Sequence, residues 1–299
     1  MKILKLISLI ILSLVCVWVI ALSECKEWIA VGSILGVILG LILPEIKHAF
    51  EDLSDTTNWK VSQRQLTRGG TIKKDTIVRI SFAYLYRIQV DGKYLLVRNE
   101  RNTGKYQPVG GVYKFTEREK HNMKNLFHVI DDNKISIDDS SRDDYRLQLE
   151  NRYLRKFIKR FNNYADRENT KDLSREFKEE LIDKGILNWD QITYRICGRH
   201  MTKLEFGQHF QIYEILLADV VELLPTEKQR KDLQALVNKK SDVYRFVTAD
   251  KIKSLGVNTA VECLQETIAD HAQKILQENE SKLMRLPDSG KKYTVEIKS

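Results

Sequence analysis

Six consecutive residues, Arg175-Glu176-Phe177-Lys178-Glu179-Glu180, gather three carboxylates and a guanidinium. On a helix, Glu176, Glu179 and Glu180 stand at i, i+3 and i+4 and cluster on one face. Carboxylates at this spacing repel unless something positive lies among them. The residue types offer Arg175 itself, or hard divalent cations held by oxygen ligands. The same pattern also occurs on solvated helix faces, so the elements around it decide what it is for.

Leu173, Phe177 and Leu181 recur every four residues and form a buried stripe, which predicts a helix over 172–184. Asp172 or Ser174 can cap its start and Gly185 can stop it. Upstream, RISFAYLYRIQV and YLLVRNE alternate apolar and polar residues on either side of Asp91-Gly92, the signal of a β-hairpin. Pro108-Val109-Gly110-Gly111 closes the next loop. Residues 118–174 are polar and read as a solvated insertion carrying one amphipathic helix over 152–164. The acidic run inside it, DDNKISIDDSSRDD, lacks the glycine and spacing of a calcium loop. A strand is expected near Phe210–Leu217, and another element over Val243–Ile252 with a terminal helix after it.

These residues resemble the Nudix box, G-x5-E-x7-R-E-U-x-E-E-x-G-U, where U is bulky and apolar. Arg175 to Glu180 match its centre residue by residue, and Gly111 with Glu117 matches its opening. The resemblance extends over roughly 79–276. It implies a loop-helix-loop that binds Mg2+, with Mn2+ as a substitute. Glu179 and Glu180 then coordinate metal, Glu176 is a ligand or base, Arg175 orients the carboxylates, and Gly110 or Gly111 completes the site. A metal so held neutralises a diphosphate and activates a water. Two departures stand out. The x7 segment is replaced by 118–174, which leaves Glu168 competing with Glu117, and the closing glycine comes late, at Gly185.

The other end of the chain belongs to a different solvent. Leu6–Leu22 and Trp28–Leu43 carry no charge and approach the roughly 20 residues that cross a bilayer. SECKE between them suits a tight loop, which predicts an uncleaved two-helix hairpin. A cleaved signal peptide, with Ala21-Leu22-Ser23 at the cleavage point, competes with it, and a lipoprotein at Cys16 is disfavoured by Val15. Lys2 and Lys5 before the hairpin, and Lys47, Lys60, Arg64 and Arg68 after it, outweigh Lys26 in the loop. Both termini are thus expected in the cytoplasm. Trp18 and Trp28 fall where interfacial anchors are common. Gly32, Gly36 and Gly40 form a smooth strip for helix packing, within the hairpin or between subunits.

The 299 residues carry a formal net charge of +8. That excess suits a phosphate-bearing ligand, an anionic membrane surface or nucleic acid and selects none of them. The cysteines at 16, 25, 197 and 263 have no metal or redox spacing, and Cys197 and Cys263 fit a reducing cytoplasm. The expected architecture is a two-transmembrane hairpin (1–48), a linker (49–78), an α/β Nudix-like domain with a mixed sheet between helices (79–276), and a polar tail (277–299).

A membrane hairpin followed by an interrupted Nudix domain resembles the two-transmembrane Nudix effectors of CBASS antiphage systems. That resemblance implies a cyclic nucleotide made by a partner CD-NTase, sensing by the Nudix-like domain, homo-oligomerisation through the membrane helices, and failure of the bacterial inner membrane. No nucleic-acid partner is expected. A membrane-anchored Mg2+-dependent hydrolase of nucleoside diphosphate derivatives, and a membrane adaptor with a degenerate Nudix fold, are the competing readings.

Overall fold

A computed structural model describes residues 2–25, 29–54, 57–99, 104–134, 141–163, 165–258, 263–264 and 267–297. The chain divides into two compact units, Met1–Gln65 and Leu66–Ser299.

In the first unit α1 (Lys2–Cys25) packs against α2 (Ile29–Ser54). Lys5 Nζ lies 3.4 Å from Glu45 Oε2, so the start of one helix meets the later part of the other and the pair is antiparallel. Ile3–Leu22 and Ala30–Lys47 are long and apolar enough to cross a membrane. Leu4, Val37, Trp18 and Leu41 are each at least 65% exposed, an uncovered apolar surface that lipid would solvate. A Cβ built on Gly36 or Gly40 meets nothing within 4 Å, so neither glycine is used to pack α1 on α2. Trp28 and Lys26 lie outside the described residues.

The second unit is a mixed α/β fold. After α3 (Trp59–Arg68), β1 (Ile77–Arg87) buries Val78, Ile80, Phe82, Tyr84 and Tyr86 completely on one face. The opposite face, with Ser81 and Ala83, floors the cavity described below. Asp91 (φ 49°) and Gly92 (φ 74°) turn β2 (Gln89–Val90) into β3 (Lys93–Arg98), the left-handed pair that a tight hairpin requires. Then follow β4 (Tyr106–Gln107), β5 (Gly110–Val112), α4 (Glu117–Phe127), β6 (Ile130–Asp131), β7 (Arg146–Glu150), α5 (Leu154–Asn163) and α6 (Ser174–Phe177). The chain continues through β8 (Gln191–Met201), β9 (Glu205–Gly207), β10 (Ile212–Leu223), α7 (Glu227–Val237), β11 (Tyr244–Thr248) and α8 (Ala249–Lys253). Short β12 (Val257–Asn258) and β13 (Cys263–Leu264) precede β14 (Lys292–Glu296).

The main sheet runs β14-β8-β10-β1-β7-β6, with β5 also on β1 and β9 on β10. β1 and β10 are parallel and their neighbours antiparallel, so the sheet is mixed. A smaller sheet, β11-β3-β2, packs Tyr94, Leu96 and Val247 into one core with Leu85 and Ala218 of the main sheet.

Three expectations change. Residues 118–174 are not simply solvated: β7 pairs with β1, and α5 buries Leu154, Phe157, Ile158 and Phe161 against Phe82 and Tyr145. The stripe predicted over 152–164 supplies that contact, whereas 135–140 of the acidic run lies outside the described residues. The polar tail is part of the sheet, because β14 pairs with β8 along its whole length. The terminal helix is replaced by 3-10 turns at Asp270–Ile275 and Gln277–Lys282, with Leu276 extended between them. Buried Arg87 donates to the carbonyls of Ile275 (2.6 Å) and Leu276 (3.3 Å); the Ile275 carbonyl is thereby taken from a continuing helix, while that of Leu276 also accepts from the Asn279 N–H (3.1 Å).

Candidate metal and ligand site

The helix that bears the carboxylates begins at Ser174, where Asp172 Oδ1 accepts from the Ser174 N–H (3.2 Å) and hydroxyl (2.6 Å). Leu173, Phe177 and Leu181 are fully buried, as their spacing predicts. Phe177 packs edge-on against Tyr86 of β1 and stacks on Trp189. From Lys178 to Ile182 the helix widens to a π-helix, with the Asp183 N–H donating to the Lys178 carbonyl at 2.9 Å. Gly185, at φ 65°, closes the segment. Such π turns cost stability and recur at functional sites. Nothing in the apolar spacing announces this one.

Arg175 sits among the carboxylates. Its Nε and Nη2 donate to Glu168 Oε1 (3.1 Å) and Oε2 (3.2 Å), its Nη1 to Glu176 Oε1 (2.6 Å), and Nη2 also to the Val112 carbonyl (2.9 Å). Glu179 Oε1 lies 3.6 Å from Nη1. Burial works against the Arg175 charge, but Tyr84, Glu176 and Glu168 outweigh it and hold its pKa above the ordinary value. The fork geometry is one that lysine cannot reproduce.

Of the two glutamates that compete for the box opening, Glu168 is the one that meets Arg175. Besides Arg175, it accepts from the Tyr84 hydroxyl at 3.0 Å and the Lys114 N–H at 3.3 Å. Glu117 instead opens α4, two-thirds exposed, beside Lys120 and His121. Thr116 caps that helix by accepting from the Glu119 N–H, and acidic residues are favoured in a first turn. The Thr116-Glu-Arg-Glu119 pattern was the available sign that Glu117 belongs to a helix start.

Glu180 is partly buried beside Gly110. Burial first, and then the Glu176 carboxylate, push its pKa up to about 8, although the Gly110 N–H donates to its Oε2 at 2.9 Å. The two glycines are needed for different reasons. A Cβ on Gly111 falls 1.8 Å from Glu176 Oε1, and one on Gly110 (φ 145°) falls 2.2 Å from the Tyr84 carbonyl oxygen. The expected results therefore differ. Gly111→Ala displaces only a flexible carboxylate, so the fold persists while Mg2+ affinity drops about tenfold. Gly110→Ala forces backbone apart and costs about 2–3 kcal/mol, roughly 5–10 °C in Tm. Thermal melts and Mg2+ titration of both variants check this; equal effects on both quantities would contradict the assignment.

These glutamates form one wall of a cavity of about 630 Å³, a size suited to a small-molecule ligand. Its floor is the outward face of β1 and β10. Arg98, Arg146, Lys184 and Lys274 also line it, with Phe210 beside them. Phe210 lies in the turn before β10 rather than in the strand expected there, its ring 4.2 Å beneath the Arg79 guanidinium. The basic residues come from separate segments, so no spacing in the sequence brings them together.

Residues 77–276 match the profile of the SMODS-associated NUDIX domain. The chain belongs to this family. No curated protein matches it. The SMODS-associated NUDIX name links the domain to cyclic-nucleotide synthases of CBASS systems. Nudix domains typically use divalent metal. Among the described residues no group of His, Cys, Asp or Glu forms a ready-made metal cage. The donors nevertheless suit a hard cation in kind: they are all carboxylate oxygens, and the Glu176 carboxylate helps to raise the Glu180 pKa. Glu176, Glu179 and Glu180 are the residues that would hold it, and the bound ion would supply charge neutralisation to a phosphate.

Proposed function

We propose that this chain is the membrane effector of a CBASS antiviral system, switched on by a cyclic nucleotide that binds the SMODS-associated NUDIX cavity. The observation that carries the reading is the cavity itself. It sets acidic metal donors and basic side chains around one space, in a chain whose other unit is two membrane-length apolar helices. Ligand binding favours an assembled state, the hairpins associate, and the inner membrane fails, ending the infection with the cell. Anchoring in two dimensions raises effective concentration, so weak ligand-driven contacts suffice. Both termini and the NUDIX unit lie in the cytoplasm, where the partner synthase releases its product.

The test is membrane potential in cells carrying the full chain with a CD-NTase of a CBASS system. Depolarisation is expected when the synthase is active and not when it is catalytically dead. Glu179→Gln with Glu180→Gln keeps size and removes two carboxylates, so Mg2+ affinity falls at least about a hundredfold and depolarisation is lost. In the parent, Mg2+ must displace the Glu180 proton, so apparent affinity rises about tenfold per pH unit until about pH 8 and then levels. Unchanged Mg2+ affinity in the double variant, or a flat pH profile in the parent, refutes the ligand assignment.

The box also supports a second reading, a membrane-anchored hydrolase, because Arg175 and Glu176 are in contact as a working Nudix site needs. Steady turnover of nucleoside diphosphate derivatives with Mg2+ or Mn2+, and depolarisation indifferent to the synthase, would favour it. A plain adaptor predicts no nucleotide binding.

A further inference from the structure

We infer that the cavity contains an anion subsite in which the Lys274 ammonium receives a phosphate of the ligand. Three observations lead there. Lys274 lines the cavity, and among the described residues its ammonium has no hydrogen bond or ion pair. Its acidic neighbour, Glu214, is already engaged, accepting from Arg79 Nη1 at 2.9 Å. Burial therefore pushes the Lys274 pKa down, the mark of a cation short of compensation. Adjacent His271, which burial and then Lys274 hold down at about 4, is neutral and leaves Lys274 as the charge at this end. Arg98, exposed and also without an ion pair among the described residues, faces the same space.

The segment that bears Lys274 packs on β1 and β10, the strands that floor the cavity, and its carbonyl accepts from His200 Nε2 of β8 at 3.1 Å. The ammonium and the box glutamates therefore line one space.

This inference rests on the phosphate-ligand reading above, and the experiment separates their failures. Full-length protein in detergent micelles is stripped with EDTA and titrated with inorganic phosphate, following Tm. Phosphate is expected to stabilise the parent and Lys274→Arg, but not Lys274→Gln. In Mg2+ the same proteins are titrated with cyclic di-AMP, cyclic di-GMP and cyclic GMP–AMP. Any of these that the parent binds should bind Lys274→Gln about tenfold or more weakly, with Mg2+ affinity unchanged. If phosphate does not stabilise the parent, or stabilises Lys274→Gln equally, the subsite is wrong. If the phosphate arm succeeds and none of the three binds, the subsite stands and these nucleotides are excluded as its ligand.

Discussion

Arg175→Met should cost the metal-free protein about 3 kcal/mol, and millimolar Mg2+ or Mn2+ should restore part of the loss. Removing one partner of a buried ion pair costs about 3–5 kcal/mol because the other charge is left unpaired. Here one guanidinium serves Glu168, Glu176 and Glu179, whose side chains are 10%, 14% and 47% exposed, while its own is 27% exposed. Partial solvation places the effect at the low end of that range. For a domain of this size it is roughly 10 °C in Tm. Glu168 keeps its bonds from Tyr84 and Lys114, so the repulsion that remains lies mainly between the box glutamates, and a divalent cation relieves it. Melts in EDTA and in each metal decide the matter. A loss that is the same with and without metal would show that the cation does not use these carboxylates, and no loss at all would show that Arg175 does not organise them.

The helix of the box was legible because its information is local. Leu173, Phe177 and Leu181 specify a face by spacing alone, and they are all fully buried. The Asp91-Gly92 turn was legible for the same reason, since few residue pairs accept two left-handed conformations in succession. What stayed hidden depends on long-range closure. Glu168 reaches Arg175 only because Glu168 and Lys114 are drawn together beside β1, and the intervening segment folds into β7 and α5. Counting residues from Gly111 leads instead to Glu117, which satisfies the spacing but serves a helix start. The break at Leu276 is met by Arg87, far away in sequence, which claims the Ile275 carbonyl. In the same way, the cations of the cavity come from β3, β7, the turn after the box helix and the segment before β14. Their joint purpose exists only after folding.

Gly36→Leu should abolish depolarisation while leaving both insertion and ligand binding intact. The variant is informative because of where Gly36 sits. A Cβ built there, or on Gly40 one turn later, meets nothing within 4 Å, so within the hairpin a side chain at Gly36 starts into open space. Leucine also adds apolar surface in the middle of a candidate span, Ala30–Lys47, which favours insertion. Approach of a second helix is what it obstructs, because a strip of small residues lets backbones meet closely and a branched side chain at its centre holds them apart. If assembly through this strip carries the damage, cells with an active synthase retain their membrane potential although the variant reaches the membrane at parental levels, checked by fractionation. The purified variant still binds whatever cyclic nucleotide the parent binds. A hydrolase whose toxicity follows turnover predicts the reverse, with Gly36→Leu harmless to its effect. Depolarisation as fast as in the parent protein would remove glycine-mediated assembly from the mechanism, and would leave the cavity and its ligand untouched.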